Sequence, residues 1–142
     1  MPGFSQALAQ QIFDSTLASS RTSLSAKPGV WMSLHTAAPS DANGGNEANY
    51  SGYARVNIGS ALTSSVVGTA PEQSVRATNT TDINFPASTG TNQTVTHWAI
   101  WSDQTLTTSA YLMYSGSLSA SRSVQSGDVV VIPTGQLVID LT

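Results

Sequence analysis

Two histidines are the side chains in this sequence best suited to carry chemistry, and both lie in segments with strand character. His35 is in residues 30–36 and His97 in residues 95–102. If these strands were neighbours, the imidazoles could approach each other and, with Asp82 or Asp103, bind a metal. Neither the HxH nor the HExxH spacing is present. We therefore expect partly buried, hydrogen-bonded histidines and no metal site.

Other reactive patterns are also missing from the sequence. A nucleophilic serine would need an elbow such as GxSxG, which does not occur, and Gly44-Gly45 lacks the lysine of a phosphate-binding loop. The eight acidic residues are spread singly, and there is no cysteine for a thiolate site or a disulfide. We expect no catalytic residues, no cofactor and no enzymatic activity.

Aromatic residues offer a binding alternative to catalysis. Tyr50 and Tyr53 adjoin a long Gly- and Asn-rich loop, residues 37–52, and could present rings to a carbohydrate. One face of the strand that holds Trp98 and Trp101 is a second candidate. Buried aromatic rings dominate core energetics, so we expect the tryptophan pair to pack in the core.

The charge and the hydrophobicity of the chain argue against two classes of partner, nucleic acids and membranes. Only 9% of residues are charged, against about 25% in ordinary globular proteins. The net charge is −3 and the five cations are scattered, which argues against nucleic-acid binding. No apolar run is long enough to span a membrane, and the first ten residues lack the pattern of a signal peptide. Low charge suits a polar β-surface or one covered by neighbouring subunits.

The centre of the predicted fold is a hairpin of strands 95–102 and 110–118. The first strand alternates in period two, with His97, Ala99 and Trp101 on one face and Trp98 and Ile100 on the other. This alternation is typical of a strand and not of a helix. Two tryptophans in one strand place much of the aromatic area of the chain here.

An amphipathic helix is predicted over residues 4–18. Phe4, Leu8 and Ile12 step by four, Phe13 and Leu17 form an adjacent row, and Ser5 can cap the start. A helix of this length is marginal alone in water. We therefore expect it to dock on its own domain or a symmetry mate rather than on a different protein.

Further short strands complete the prediction. They cover residues 30–36, 53–58, 80–85, 128–132 and 137–141, with a weak edge strand near Leu62, Val66 and Val67, a turn within 119–127, a hairpin turn at 133–136, and Asp140 pointing outward. The pattern indicates an all-β fold, an antiparallel β-sandwich or jelly-roll-like barrel of about seven or eight strands with one N-terminal helix. Residues 1–25 would be helix and linker, and residues 26–142 the β-sandwich domain.

An ordered set of motifs runs through nearly the whole chain. They are L-H-T-A-x-P from Leu34, G-Y-A-R from Gly52, N-x-x-x-I-x-F-P from Asn79, V-T-H-x-x-I from Val95, S-V-x-x-G-D from Ser123 and G-x-L-x-I-x-L from Gly135. Together they resemble a family of small virion proteins of tailed bacteriophages, often described as tail fibre or structural proteins. The chain departs from the pattern around residues 59–76.

The resemblance implies a structural, non-enzymatic part of a phage particle. We expect first a capsid cement or decoration protein on the capsid surface that binds the major capsid protein and self-associates, with a trimer as the expected form. The alternative is a tail, collar or fibre component that binds a host receptor through loops containing Tyr50, Tyr53 and Asn92. The expected contact residues are Phe4, Leu8, Ile12, Pro39, Asp41, Tyr50 and Tyr53.

Overall fold

The computed structural model describes residues 3–17, 29–40, 45–105 and 112–141. These residues form one helix and ten strands, four of which are only two residues long. In chain order the elements are β1 (Gly3–Phe4), α1 (Gln6–Thr16), β2 (Trp31–His35), β3 (Val56–Asn57), β4 (Leu62–Thr69), β5 (Glu72–Asn79), β6 (Ile83–Asn84), β7 (Gln93–Trp101), β8 (Leu112–Val124), β9 (Val131–Ile132) and β10 (Val138–Leu141).

The largest sheet has five strands in the order β1-β8-β7-β2-β3, and β7 lies at its centre. All its strand pairs are antiparallel, so the predicted central hairpin of β7 and β8 is confirmed. The strand β8 is longer than predicted and continues to Val124. Between its pairs Val95–Arg122 and His97–Ser117, four residues of β8 lie opposite Thr96 alone. This bulge occupies part of the segment that the sequence predicts as a turn.

Two smaller sheets complete the architecture, with the strand orders β10-β5-β4 and β6-β9. The weak edge strand is confirmed as β4, although its hairpin partner β5 is not predicted by the sequence. The predicted strands 53–58, 80–85 and 128–132 shrink to β3, β6 and β9. The predicted hairpin at 133–136 is wrong, because β9 pairs with β6 whereas β10 pairs with β5. That turn instead carries the chain between sheets.

The side chain of Asn79 explains how this crossing turn is held. Its Nδ2 donates to the carbonyl oxygens of Thr81 and Pro133, both at 2.9 Å, and its Oδ1 accepts from Leu137 N at 3.0 Å. Asn79 is 2% exposed. Because these bonds satisfy backbone groups that no strand pairs, the turn can leave one sheet and enter the other.

The core fills the space between the sheets. Its main cluster includes Met32, Leu34, Trp98, Ile100 and Ile139, and a smaller cluster contains Ala99, Trp101 and Leu112. Residues 98–101 are therefore buried whichever face of the strand they occupy, and the core role expected for the tryptophan pair is confirmed. The sheets are antiparallel and do not close on themselves, so the fold is an all-β sandwich and not a barrel.

The helix α1 begins two residues later than predicted and ends at Thr16. Ser5 caps it, since its Oγ accepts from Leu8 N at 3.1 Å. The backbone N–H of Ser5 donates to Met113 O in β8, and Leu8 packs against the main core. The helix therefore docks on its own domain. Among the described residues, no helix has the length and apolar character needed to cross a bilayer.

Candidate functional site

The two histidines are direct neighbours across strands β2 and β7. Their Cα atoms are register partners, so the proximity considered from the sequence is real. The environments of the two rings differ. His35 is 0% exposed, whereas His97 is half-buried and its Nδ1 lies 2.8 Å from Thr96 Oγ1. Within the described ranges, no three His, Asp or Glu side chains are grouped so that they could hold a metal ion.

His35 belongs to a hydrogen-bonded chain that crosses the interior. Trp101 Nε1 donates to Ser33 Oγ at 2.7 Å, Ser33 Oγ lies 2.7 Å from His35 Nε2, and His35 Nδ1 lies 3.1 Å from Gly45 O. A carbonyl oxygen can only accept, so Nδ1 carries the proton and Nε2 accepts from the serine hydroxyl. Burial lowers the pKa of His35, which favours this neutral form.

The 2.7 Å between Ser33 Oγ and His35 Nε2 is the separation of a nucleophile and its base, although the sequence contains no nucleophile motif. Hydrolytic chemistry also needs a substrate within reach of the hydroxyl. Ser33 and His35 are both 0% exposed, and the group behind the ring is the Gly45 carbonyl rather than a carboxylate. In the described structure the pair connects strand β2 to the 45–50 loop and is closed to solvent.

A largely buried ion pair packs against the Trp101 ring. Arg55 donates from Nε to Glu47 Oε1 at 2.8 Å and from Nη2 to Glu47 Oε2 at 2.6 Å. The Arg55 side chain is 3% exposed and that of Glu47 is 22% exposed. The guanidinium also donates to Asp103 O at 3.0 Å and lies 4.6 Å from the centre of the Trp101 ring. These contacts bind two loops to the end of β7.

Tyr50 and Tyr53 do not form an exposed platform, and that part of the sequence interpretation is wrong for their rings. Tyr50 is 2% exposed, and its hydroxyl donates to Pro86 O at 3.2 Å. The Tyr53 ring stacks on Phe85, and its hydroxyl donates to Glu47 Oε1 at 3.1 Å. Burial raises the pKa of Tyr53, and the Glu47 carboxylate raises it further. The buried Tyr50 ring and the half-buried Tyr53 ring both support the loop.

The remaining predicted contact residues are dispersed. Phe4 lies in β1 opposite Tyr114, Leu8 is in contact with the core, and Ile12 and Pro39 are half-buried. Asp41 lies outside the described residues. The structure does not gather these positions into one surface, and their role in contacts stays a prediction. Phe13 in α1 and Leu17, the residue that caps the C-terminal end of α1, are 56% and 70% exposed, so only part of the predicted apolar stripe faces the core.

The β4–β5 hairpin makes a surface that is absent from the sequence-based predictions. Val66 and Val75 are cross-strand partners on this hairpin and are 63% and 42% exposed. At its base lies a mainly apolar cleft of about 330 Å³, with Leu62, Val75 and Leu141 among its lining residues. The valines on either side of Gly68 and Pro71 are typical of two strands joined by a turn. The surrounding serines and threonines weaken the alternating pattern by which such strands are recognised.

These features define a class of protein, an all-β structural module whose buried polar side chains connect strands to loops. The sequence model of one family, described as "Gp80: Podophage GP4 fiber I protein gp80", matches residues 3–140. The chain belongs to this family and is a structural component of a tailed-phage virion, as its motifs predict. No curated protein matches the chain.

Proposed function

We propose that this chain is a subunit of a virion fibre attached to the tail, acting as a structural part rather than as an enzyme. The observation that carries the proposal is the match of residues 3–140, nearly the whole chain, to a family described as a podophage fibre protein. The family description favours the alternative of the sequence analysis over capsid cementing, which was expected first.

The geometry of the interior supports a structural role. Ser33, His35 and Arg55 have the chemistry that a reactive site would use, but their polar atoms bond to neighbouring groups of the fold. Each of these residues is at most 6% exposed. What the described chain presents outward is mostly small hydroxyl and amide side chains, which suit packing against other subunits.

The structure shifts the candidate receptor contacts from the tyrosine rings to nearby polar side chains. Because the rings of Tyr50 and Tyr53 are used inside the fold, a glycan contact at this end would have to use exposed polar groups. Ser51 and Thr91 are such groups, and their hydroxyls lie 3.0 Å apart. Asn92 from the sequence prediction is exposed on the same loop. We propose no aromatic platform here.

The experiment that tests the proposal locates the chain on intact particles by gold-labelled antibody and electron microscopy. We expect label on the tail, and antibody preadsorbed with the purified protein should give none. Label spread over the head would contradict the proposal and support capsid cementing. Particles lacking the chain provide a second readout, since a fibre subunit should affect adsorption to the host while leaving the heat resistance of the head unchanged.

A further inference from the structure

The strand β4 forms one end of the three-stranded sheet. Among the described residues it pairs only with β5. Thr80 N donates to Ala61 O at 2.7 Å, which makes that pair a hydrogen-bonded one. Hydrogen-bonded and non-bonded pairs alternate along antiparallel strands. The backbone N–H and C=O groups of Leu62, Ser64 and Val66 therefore point away from β5, toward the open edge.

This edge lacks the features by which proteins usually prevent strand pairing. Natural edge strands are commonly short, charged or interrupted by proline. Leu62–Thr69 is eight residues long and contains neither a charged residue nor a proline. Its one irregular position is Gly68, where φ is +91°. The segment from Leu62 to Val67 is thus an uninterrupted row of backbone donors and acceptors.

The two faces of the hairpin differ in character. Leu62, Ser64 and Val66 share one face with their partners on β5, and that face continues from the apolar cleft out to the exposed Val66. On the opposite face Arg76 and Asp140 form a bidentate ion pair, with N–O distances of 2.7 and 2.8 Å. These two charges neutralise each other, and the apolar face is the one that needs cover.

We propose that the β4 edge pairs with the same edge of a second copy of this chain, antiparallel about a two-fold axis at Ser64. In this register the outward-facing residues meet one another, and about six backbone hydrogen bonds form. Leu62 of one copy lies opposite Val66 of the other on the same face, so the exposed valine gains an apolar neighbour. Gly68 falls outside the paired segment. The two three-stranded sheets become one six-stranded sheet.

The choice of a second copy rests on self-complementarity. An uncharged strand meets no like-charge repulsion when it pairs with itself, and an isologous contact closes after two copies. This contact is two-fold, whereas the sequence resemblance leads to the expectation of a trimer, which stays a prediction. The inference concerns the isolated chain and does not depend on where it sits in the virion.

The first test measures the mass of the purified full-length protein by light scattering and sedimentation over a concentration series. We expect a dimer, with Val66→Lys and Ser64→Pro each weakening dimerisation at least tenfold. The backbone N–H of Ser64 donates no hydrogen bond to β5, so proline at this position should be tolerated in the monomer. The matched controls Thr69→Lys and Ser64→Ala should dimerise like the unmodified chain, and circular dichroism verifies that each variant folds.

A wild-type protein that stays monomeric at the highest concentration would overturn the inference. So would dimers that neither edge variant weakens.

A second test uses the absence of cysteine from the chain. In the proposed register the two Ser64 Cα atoms lie about 5.5 Å apart, within the range of about 4.4–6.8 Å that disulfides span. The single variant Ser64→Cys should therefore form an intermolecular disulfide quickly under mild oxidation. Ser126→Cys, in an exposed turn, is the control. Equal or slower cross-linking of Ser64→Cys would contradict the proposed pairing.

Discussion

Arg55 and Glu47 form a bidentate ion pair inside the protein, with N–O distances of 2.8 and 2.6 Å. The arginine simultaneously contacts the face of the Trp101 ring and the backbone oxygen of Asp103. One guanidinium therefore joins the loop before β3, the end of β7 and the residues that follow it. Removing its carboxylate partner would leave a positive charge that is almost entirely shielded from water.

We predict that Glu47→Gln lowers the free energy of unfolding by about 3 kcal/mol, because breaking a buried pair leaves an uncompensated charge. Urea denaturation measures this loss. The comparison variant is Asp140→Asn, which breaks an ion pair of similar geometry with Arg76 at the surface, where water solvates the freed charge. Its effect should be much smaller. Equal losses in the two variants would show that burial of Arg55 is not what matters.

The pH dependence of stability should report on His35. Burial lowers the pKa of His35 in the folded state, so the unfolded chain binds more protons once the pH falls below about 6.5. The contribution of His35 to stability is therefore fully present above that pH and is lost progressively as the pH falls toward the folded-state pKa. We expect the melting temperature of the wild type to drop between pH 7 and pH 5.

One glutamine variant separates this effect from general acid sensitivity. His35→Gln should melt at a lower temperature at pH 7 but show a flatter dependence between pH 7 and pH 5. If the slope is the same in the wild type and the variant, the titration of His35 does not control stability in this range.

Gly116 in β8 should tolerate no side chain. A Cβ atom built at this position would lie 2.8 Å from Cζ2 of Trp98, and the indole is a rigid ring that is 6% exposed. We expect Gly116→Ala to destabilise the protein by about 1–3 kcal/mol through overpacking. Gly59→Ala is the matched control, since a Cβ atom added there would come no closer than 3.4 Å to a neighbouring atom, Oδ1 of Asn57. Similar melting temperatures for both variants would contradict the prediction.

Asn79 should be hard to replace although it is neither catalytic nor charged. Asn79→Ala leaves the Leu137 N–H without its acceptor and two carbonyl groups without their donor. We expect a loss of about 2 kcal/mol or more in the free energy of unfolding, since buried polar groups would be unsatisfied. Asn84→Ala, at an exposed position with a 3.5 Å contact, should change little. Hydrogen exchange at Leu137 would localise the effect.

Local sequence patterns predict the helices and strands whose conformation is determined by their own residues. The helix is predicted from the four-residue spacing of Phe4, Leu8 and Ile12 and from the capping Ser5, and its position differs by only two residues at each end, with Phe4 in β1 instead. The strand β7 follows from its period-two alternation and its two tryptophans. In both cases one continuous segment contains the whole signal, so no knowledge of the partner strand is required.

The elements that the sequence misplaces depend on distant partners. β6 and β9 are two residues long and exist because they pair with each other across the chain. In the same way, Tyr50 is predicted beside a polar loop with its ring available to a ligand, whereas its contacts with the Tyr53 ring and the Pro86 carbonyl oxygen hold it inside the fold. The exposed position expected for the Tyr50 ring is wrong for the same reason, because exposure is a property of the packed chain and not of loop composition.

The chain of bonds from Trp101 through Ser33 to His35 also has a consequence for how the sheet assembles. Those bonds form only when Ser33 lies opposite Ala99 and His35 opposite His97. A shift of one residue between β2 and β7 would turn the hydroxyl and the imidazole to the other face and deprive the Trp101 N–H of its acceptor. Apolar side chains alone would penalise such a slip less sharply. The buried polar residues thus raise the free energy of misaligned sheets and select one alignment during folding.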